Sequence, residues 1–478
     1  MFRLAGLLKF VFLFIPWGLY SQTFVSTIGT SLDDIADSPY ELPTGDYLLH
    51  IYRGEYYPNQ MHSYYSDIIF KLDSFGNCID SVLLDESRFY YIASLNLFQY
   101  QQNTFFWSTI TDKTNVGHPG LMYGFISDDL EVFQPTVIFD ADTGWAFYSC
   151  IVNRQDNLVF IGTEGALSGS ESHNVVWELN PVNGIIKRGT IERNYYTKIV
   201  ELPAIQGYHL GGFDTICQIN YDLEYEGIVF ARPMDDTLIF YTDTQSLTDS
   251  TYARCAVGFE FPAIIEDFGV GIFNQMGQRI AGGTFGKSDT SDWSYRLDCH
   301  SQDTIFLAGT SNYPDYEFEQ IDSWFGVYNI NRFCDLNWSF YFGKFGLYVL
   351  SDVLATSDGG CLITGTCWDW RNNPNQERDA IIVKVNDQGL IVNIDENDKP
   401  VVFSFLIYPN PGSQKLYLEC GLSDGIFEMY DHCGRNVVSK HFSMGYLVLN
   451  TSKLANGLYY YRIISGKKAY YSGKWIKK

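Results

Sequence analysis

Basic side chains are scarce. The 478 residues hold 32 Lys and Arg against 56 Asp and Glu, a formal net charge of −24 at neutral pH. A surface of that sign repels phosphates, which excludes binding of nucleic acid or anionic lipid through bulk electrostatics. Histidine is also thin, 8 residues at positions 50, 62, 118, 173, 209, 300, 432 and 441, with no His-Glu-x-x-His pair. Ten cysteines make no Cys-x-x-Cys, and their spacing to histidine resembles no zinc site. The chain has no Gly-x-Ser-x-Gly elbow, phosphate loop or dinucleotide fingerprint. No catalytic residue, metal or cofactor is therefore expected. Beyond residue 21 no long apolar run occurs, so no transmembrane segment is expected in the mature chain, and no helical period of useful length stands out.

What the chain does have begins at its N-terminus. Arg3 and Lys9 flank Leu7-Leu8 and Phe10–Ile15, and Ser21 precedes Gln22. A charged start, a short apolar stretch and a small residue describe a secretory signal peptide over residues 1–21. Export implies an oxidising setting in which disulfides persist. Most of the cysteines nonetheless occupy matching positions in different repeat units and read as small buried residues. Cys420 and Cys433 are the one pair free to bridge.

The body is repetitive. Seven times an apolar residue closes a strand and is followed by Asp, Ser or Asn and a turn. The junctions are Leu72-Asp73, Ile126-Ser127, Leu179-Asn180, Ile219-Asn220, Phe273-Asn274, Tyr328-Asn329 and Val385-Asn386. Upstream of several lies an alternating strand that ends in glycine, as in Leu158–Gly162, Gly207–Gly212, Thr304–Gly309 and Cys361–Gly365. Two hairpins per period of about 50 residues are the signature of propeller blades. Residues 22–394 are expected to form a seven-bladed β-propeller, with six or eight blades as alternatives because the fourth unit is short and the run Asp235–Phe261 is irregular. The strand at Phe24–Gly29 is a candidate to close the ring, although Leu390–Ile394 also reads as a last strand for the seventh unit. Thr356-Ser357-Asp358-Gly359-Gly360 loosely resembles the Asp-box of sialidase propellers and is expected to be a tight hairpin turn.

A polar, Pro-ended stretch at Asp395–Pro400 marks a linker. The charge changes there: residues 401–478 hold ten Lys and Arg against four Asp and Glu, whereas residues 22–400 carry −32. The final segment runs through Tyr408-Pro409-Asn410-Pro411, Lys415–Leu418, Met429–Arg435 with Gly434-Arg435, Leu454–Arg462 with Gly457, and Gly473–Lys478 with Lys474, Lys477 and Lys478. Alternating apolar positions and turn residues predict a small antiparallel β-sandwich. The series resembles the type A C-terminal sorting domain of the type IX secretion system. That resemblance implies recognition by the type IX machinery, passage across the outer membrane of a Gram-negative bacterium, and release or display at the cell surface.

The acidic pairs Asp33-Asp34, Asp128-Asp129, Asp140/Asp142 and Asp235-Asp236 are expected at solvated turns. Aromatics in the longer loops, Tyr56-Tyr57, Tyr64-Tyr65, Trp145, Tyr313, Tyr316, Trp368 and Trp370, are candidate ligand contacts. The expected function is binding of an extracellular glycan or protein, with a secreted hydrolase or lyase acting at the channel mouth as the alternative. Converging carboxylates with a basic or aromatic neighbour would favour the enzyme.

Overall fold

The computed structural model describes residues 22–478, apart from residue 31 and the stretches 55–64, 85–88, 92–94, 113–118, 133–134, 140–142, 167–172, 192–194, 234–235, 261–264, 287–289, 314–318, 344–345, 374–376, 392–404, 421–423, 432–433, 444–445 and 466–467. The signal peptide, the linker, Tyr56, Tyr57, Tyr64, Tyr316, Asp140, Asp142, Asp235 and Cys433 lie outside the described residues.

The chain is all-β; its one helical piece among the described residues is a short 3-10 turn at Pro203–Ile205. Strands from Phe24 to Val385 make seven small antiparallel sheets. Five are meanders of four consecutive strands, spanning Asp33–Leu83, Thr143–Ile191, Tyr196–Ala231, Leu238–Phe285 and Asp292–Phe342; another, spanning Phe89–Ile138, has five strands, with Phe89–Tyr91 and Asn96–Tyr100 both paired to Asn103–Asp112. The seventh takes Leu347–Ala355, Cys361–Trp368 and Asp379–Val385 from one end of the body and its fourth strand, Phe24–Ile28, from the other. Phe24 pairs with Lys384 and Ile28 with Ala380. That pairing resolves the ambiguity at Leu390–Ile394: the outer place of the seventh sheet is filled by Phe24–Ile28.

A four-stranded sheet with two apolar faces cannot bury both alone. Here each face packs on a neighbour, and seven hydrophobic clusters sit one at each junction. Among them, Phe105, Trp107, Trp145, Phe160 and Trp177 join the second and third sheets. Phe24, Leu49, Phe70, Leu362 and Ile382 join the seventh to the first. The first strands of the third to seventh sheets touch in turn, from Thr143–Val152 to Leu347–Ala355, and Leu347–Ala355 touches Asp33–Glu41; the second sheet completes the cycle, with Asn96–Tyr100 against Asp33–Glu41 and with Asn103–Asp112 and Pro119–Ile126 against Thr143–Val152.

The repeated junctions have one physical cause. At Asp73, Ser127, Asn220, Asn274, Asn331 and Asn386 the backbone N–H three residues on donates to the junction carbonyl, and the junction N–H donates to the carbonyl four residues on. The junction side chain accepts the N–H of that fourth residue. The third residue takes positive φ, at Gly76, Leu130, Leu223, Gly277, Cys334 and Gly389. A short side-chain acceptor caps this three-residue hairpin, which explains Asp, Ser or Asn at these six turns; the same backbone turn forms uncapped at Leu42, and Asn180 at the remaining junction instead accepts from the N–H groups of Val182 and Asn183. The sixth junction is Ile330-Asn331, two residues beyond the Tyr328-Asn329 expected from sequence. Thr356–Gly360 is the expected tight turn: the Thr356 hydroxyl and the Gly360 N–H both donate to Asp358.

Asp33 and Asp34 are not at a solvated turn. They start the first strand, buried, and Arg378 donates to Asp33 through its backbone N–H, Nε and Nη2 at 2.9, 2.9 and 2.5 Å. Arg53 donates to Asp34 at 2.6 Å. Asp128 and Asp129 do lie at an exposed turn. The eight cysteines whose side chains are described carry free thiols. Burial raises their pKa, as for Cys255 and Cys361, each pushed up to about 12.

The C-terminal strands, Phe405–Tyr408 through Lys468–Lys477, form a separate seven-stranded sheet. Its two parts are joined at a single residue pair, Ser443 with Tyr446. Leu416 and Leu418 on one part share a core with Phe427, Met429, Ile463 and Trp475 on the other.

Replacing Arg378 with Met leaves the buried Asp33 carboxylate uncompensated and should lower stability by about 3–5 kcal/mol. The double change Asp33→Asn with Arg378→Met should recover much of that loss, as read from urea unfolding of the exported chain.

Candidate functional site

In an antiparallel meander the first-to-second and third-to-fourth turns share one edge of the sheet. The leading end of the first strand and the second-to-third connection share the other. The six capped turns therefore lie on one side of the body, and most of its longer connections lie on the opposite side. The first strands surround the centre of the cycle.

Ser38, Trp107 and Phe147 line a cavity of about 240 Å³ there, together with seven residues from seven sheets: Asp37, Asn96, Tyr148, Lys198, Asp243, Arg296 and Asp352. Each comes from the first strand of a different sheet, or in the second sheet from its inner strand Asn96–Tyr100. Six of these strands lose ladder register beside the lining residue: at Asp37/Tyr40, Phe147/Ser149, Tyr196/Lys198, Ile239/Asp243, Ser294/Arg296 and Leu350/Asp352. A bulge turns a side chain that would alternate into the core toward the axis instead. Glycines within the second strands answer these bulges. A Cβ on Gly162 would stand 2.4 Å from the Ala146 carbonyl oxygen, and one on Gly365 2.3 Å from that of Val349. Gly309 opposes the Trp293 carbonyl in the same way. The strand-then-glycine pattern in the sequence is thus the imprint of the bulges.

The cavity mixes charges. Lys198 Nζ sits 2.7 Å from Asp243 Oδ1, and Arg296 Nε 3.5 Å from Asp352 Oδ1. Asp243 is further held by the N–H groups of Thr244 and Leu297 at 2.9 and 3.1 Å. Asp352 keeps 25% of its side-chain surface open. Desolvation, with Asp37 and Asp243 nearby, still outweighs Arg296 and raises its pKa from 3.8 to about 7. One carboxyl that holds its proton near neutrality thus shares the cavity with a salt-bridged carboxylate. Among the described residues no group of three or more His, Cys, Asp or Glu is placed to hold a metal ion.

From Tyr148 a file of rings runs outward along the side that carries the long connections. Tyr148 lies 5.4 Å from Tyr195, Tyr195 stacks 6.3 Å from Phe213, and Phe213 meets Phe240 edge-on at 6.4 Å. Phe240 stacks 6.4 Å from Trp293, and Trp293 lies 5.7 Å from Tyr313. Tyr195, Phe213, Phe240 and Tyr313 are between 39% and 47% exposed. Three of these rings stand three residues before a cavity residue: Tyr195 before Lys198, Phe240 before Asp243, Trp293 before Arg296. That spacing is a sequence signal, visible only once the bulged strands are aligned.

Of the aromatics expected at ligand-contact positions, Tyr313 stands in this file. Trp145 and Trp368 are interior residues, corrected from loop positions: Trp145 packs edge-on to Trp177 at 4.7 Å, and Trp368 donates to the Asn373 carbonyl. Trp370 is half-buried under the Arg371 guanidinium, 3.8 Å from its ring centre, and donates to the Ile321 carbonyl.

The C-terminal motif residues form a clasp. Asn410 accepts the Ile476 N–H and donates to the Lys474 carbonyl. Gly412 bonds to Ile476 and Lys478 through backbone groups, and Trp475 donates to the Pro409 carbonyl. Pro409 and Pro411 need no donor partner, so the stretch binds the last strand through what remains. Asp431 accepts both the N–H and the Nε of Arg435, with Gly434 at φ +77° between them. Gly457 takes φ +150° at its turn; Lys474 and Lys478 are exposed, and Lys477 is buried. Tyr408 ends the strand Phe405–Tyr408.

Asp352 yields a pH signature. With the folded value raised, its contribution to stability is full below 3.8 and is lost as pH rises toward about 7. Asp352→Asn should remove that dependence, so the thermal midpoint of the variant should gain on the parent between pH 4 and 7. Parallel melting profiles would count against the raised value.

Comparison with known proteins gives one family match: residues 406–478 fit the model described as "Secretion system C-terminal sorting domain". No curated protein matches the chain. Solved structures with similar folds include a fungal alcohol oxidase in complex with copper, 10% identical over 95% of this chain and 98% of that one, TM-score 0.44. PorZ, a surface component of the type IX secretion system of Porphyromonas gingivalis, is 7% identical over 93% and 81%, TM-score 0.28. An endo-arabinase from Bacteroides thetaiotaomicron is 13% identical over 61% and 93%, TM-score 0.32. All three scores fall below 0.5, and no functional argument rests on them. The motif order, the clasp that it builds and the family match agree: residues 406–478 are a secretion-system C-terminal sorting domain.

Proposed function

We propose that this protein is delivered to the outside of a Gram-negative cell by its sorting domain and there binds an extracellular ligand, glycan or protein, through a seven-bladed β-propeller. The sorting domain implies export and contact with the secretion machinery. The propeller reading is supported by seven small sheets, one hydrophobic cluster per junction, and contacts that link the sheets in a cycle. One observation carries the binding reading: every sheet contributes a residue to one central cavity, and six of the seven contributing strands bulge to do so. Packing alone would fill such a centre with aliphatic side chains; here it holds paired charges that can serve hydroxyl and amide groups of a ligand.

The alternative of a hydrolase gains one specific support. A raised carboxyl, Asp352, and a second carboxyl paired with Lys198, Asp243, share the cavity, an arrangement suited to general acid–base work. The separating experiment is Asp352→Asn: it should leave ligand retention nearly unchanged if the site only binds, and should abolish turnover while retaining the ligand if it cleaves.

A glycan-array screen of the exported chain beside Asp243→Asn and Arg296→Met tests the cavity. Loss of roughly tenfold in signal is expected for each variant, since each leaves a charged partner unmatched. Unchanged binding by both would sink the cavity as the site. For delivery, removing residues 408–478 should hold the protein in the periplasm, as read by cell fractionation; surface display of the truncated chain would refute it.

A further inference from the structure

The ring file that starts at the cavity has properties that core packing does not explain. Phe240 sits at φ +47°, in the left-handed region that bulky residues avoid. The ladder skips from Ile239 to Asp243, so Phe240, Tyr241 and Thr242 lie outside the pairing. Tyr241 turns into the core at 1% exposed, while Phe240 turns outward at 45%. Strain of this kind persists where surrounding structure holds it and concentrates at binding surfaces. Phe240 bridges Phe213 on the fourth sheet and Trp293 on the sixth. Without it the file would break in two.

We infer that Tyr195, Phe213, Phe240, Trp293 and Tyr313 form a track along which a neutral linear polysaccharide lies, one of its sugars reaching the cavity beside Tyr148. The inference rests on the cavity reading above and names the ligand class for it. A sugar ring offers an apolar C–H face that stacks on aromatic rings by dispersion, and an edge of hydroxyls that needs hydrogen-bond partners. The file supplies the first and the cavity the second. At about 240 Å³ the cavity is smaller than the roughly 300–1,000 Å³ sites that enclose drug-sized ligands, so it takes one small polar unit and leaves the rest of a longer ligand outside. A protein partner would be met by a compact hot spot ringed by polar residues, whereas these rings stand in single file. Charge decides among glycans: Arg232 and Arg371 near the track are engaged by Asp214 and Asp322, and residues 22–400 carry −32, so polyanionic chains are repelled.

The test is affinity electrophoresis of the full exported chain in native gels holding a β-glucan, a xylan, a mannan, an arabinan or, as the polyanion, polygalacturonate. Retardation by at least one neutral polysaccharide and none by polygalacturonate is expected. Phe240→Ala and Tyr195→Ala should each weaken it by roughly tenfold, the scale of one lost stacking surface. Phe213→Leu and Phe240→Leu, which keep apolar bulk without a π face, should weaken it comparably. Several outcomes overturn the track: free migration in every gel, retardation by polygalacturonate alone, or leucine variants that bind as the parent does, which is the behaviour of an apolar protein-docking surface. If array ligands are held through Asp243 and Arg296 while every gel runs free, the track fails and the cavity stands. If retardation falls with Phe240→Ala but not with Asp243→Asn, the cavity fails and the track stands.

Discussion

The body depends on one strand pairing: residues 24–28 against residues 380–384. A sheet of four strands has two faces to cover, and a row of such sheets always leaves two faces bare at its ends. Bringing the first strand of the chain to the seventh sheet removes both ends. Asp33 with Arg378 sits beside this closure, so the same junction is held by a ladder, a buried ion pair and the cluster around Phe24 and Ile382. Stability is shared among seven equivalent interfaces, and opening any one of them exposes two apolar faces.

Closing a cycle of sheets also crowds its centre. Seven first strands meet there, and alternating strands would drive their side chains into one another or back into the cores. Bulges settle the geometry, glycines on the second strands make room for the bulged carbonyls, and the displaced side chains become a charged cavity. The site is thus a product of how the ring is closed. The two ends of each sheet divide the labour, with short capped turns on one side and longer connections and exposed rings on the other.

Much of this was legible in the sequence. The turn residues announced the period because a short side-chain acceptor caps that hairpin, and the repeat follows the run of small antiparallel sheets. The Tyr-Pro-Asn-Pro, Gly-Arg and lysine landmarks identified the C-terminal domain because each has a backbone task in its clasp. The sixth junction was misplaced by two residues because Tyr328-Asn329 and Ile330-Asn331 present the same apolar-then-Asn pattern. Asp33-Asp34 looked like a turn because local sequence does not show a partner such as Arg378, which arrives from the far end of the body. The central cavity was invisible for the same reason: its lining is drawn from one or two positions in each of eight strands. Trp145 and Trp368 drew attention by residue type, yet large indoles at strand positions are what the inter-sheet clusters are made of.

The closing strand, Phe24–Ile28, has a consequence for the life of the chain. It is synthesised before any of the seven sheets, and its partner strand is the last part of the body to follow. Native contacts of such long sequence separation form slowly, because the whole intervening loop must be drawn together first. Until that pairing forms, the seventh sheet lacks its fourth strand and the apolar faces that the seventh and first sheets turn to each other have no closing ladder beside them.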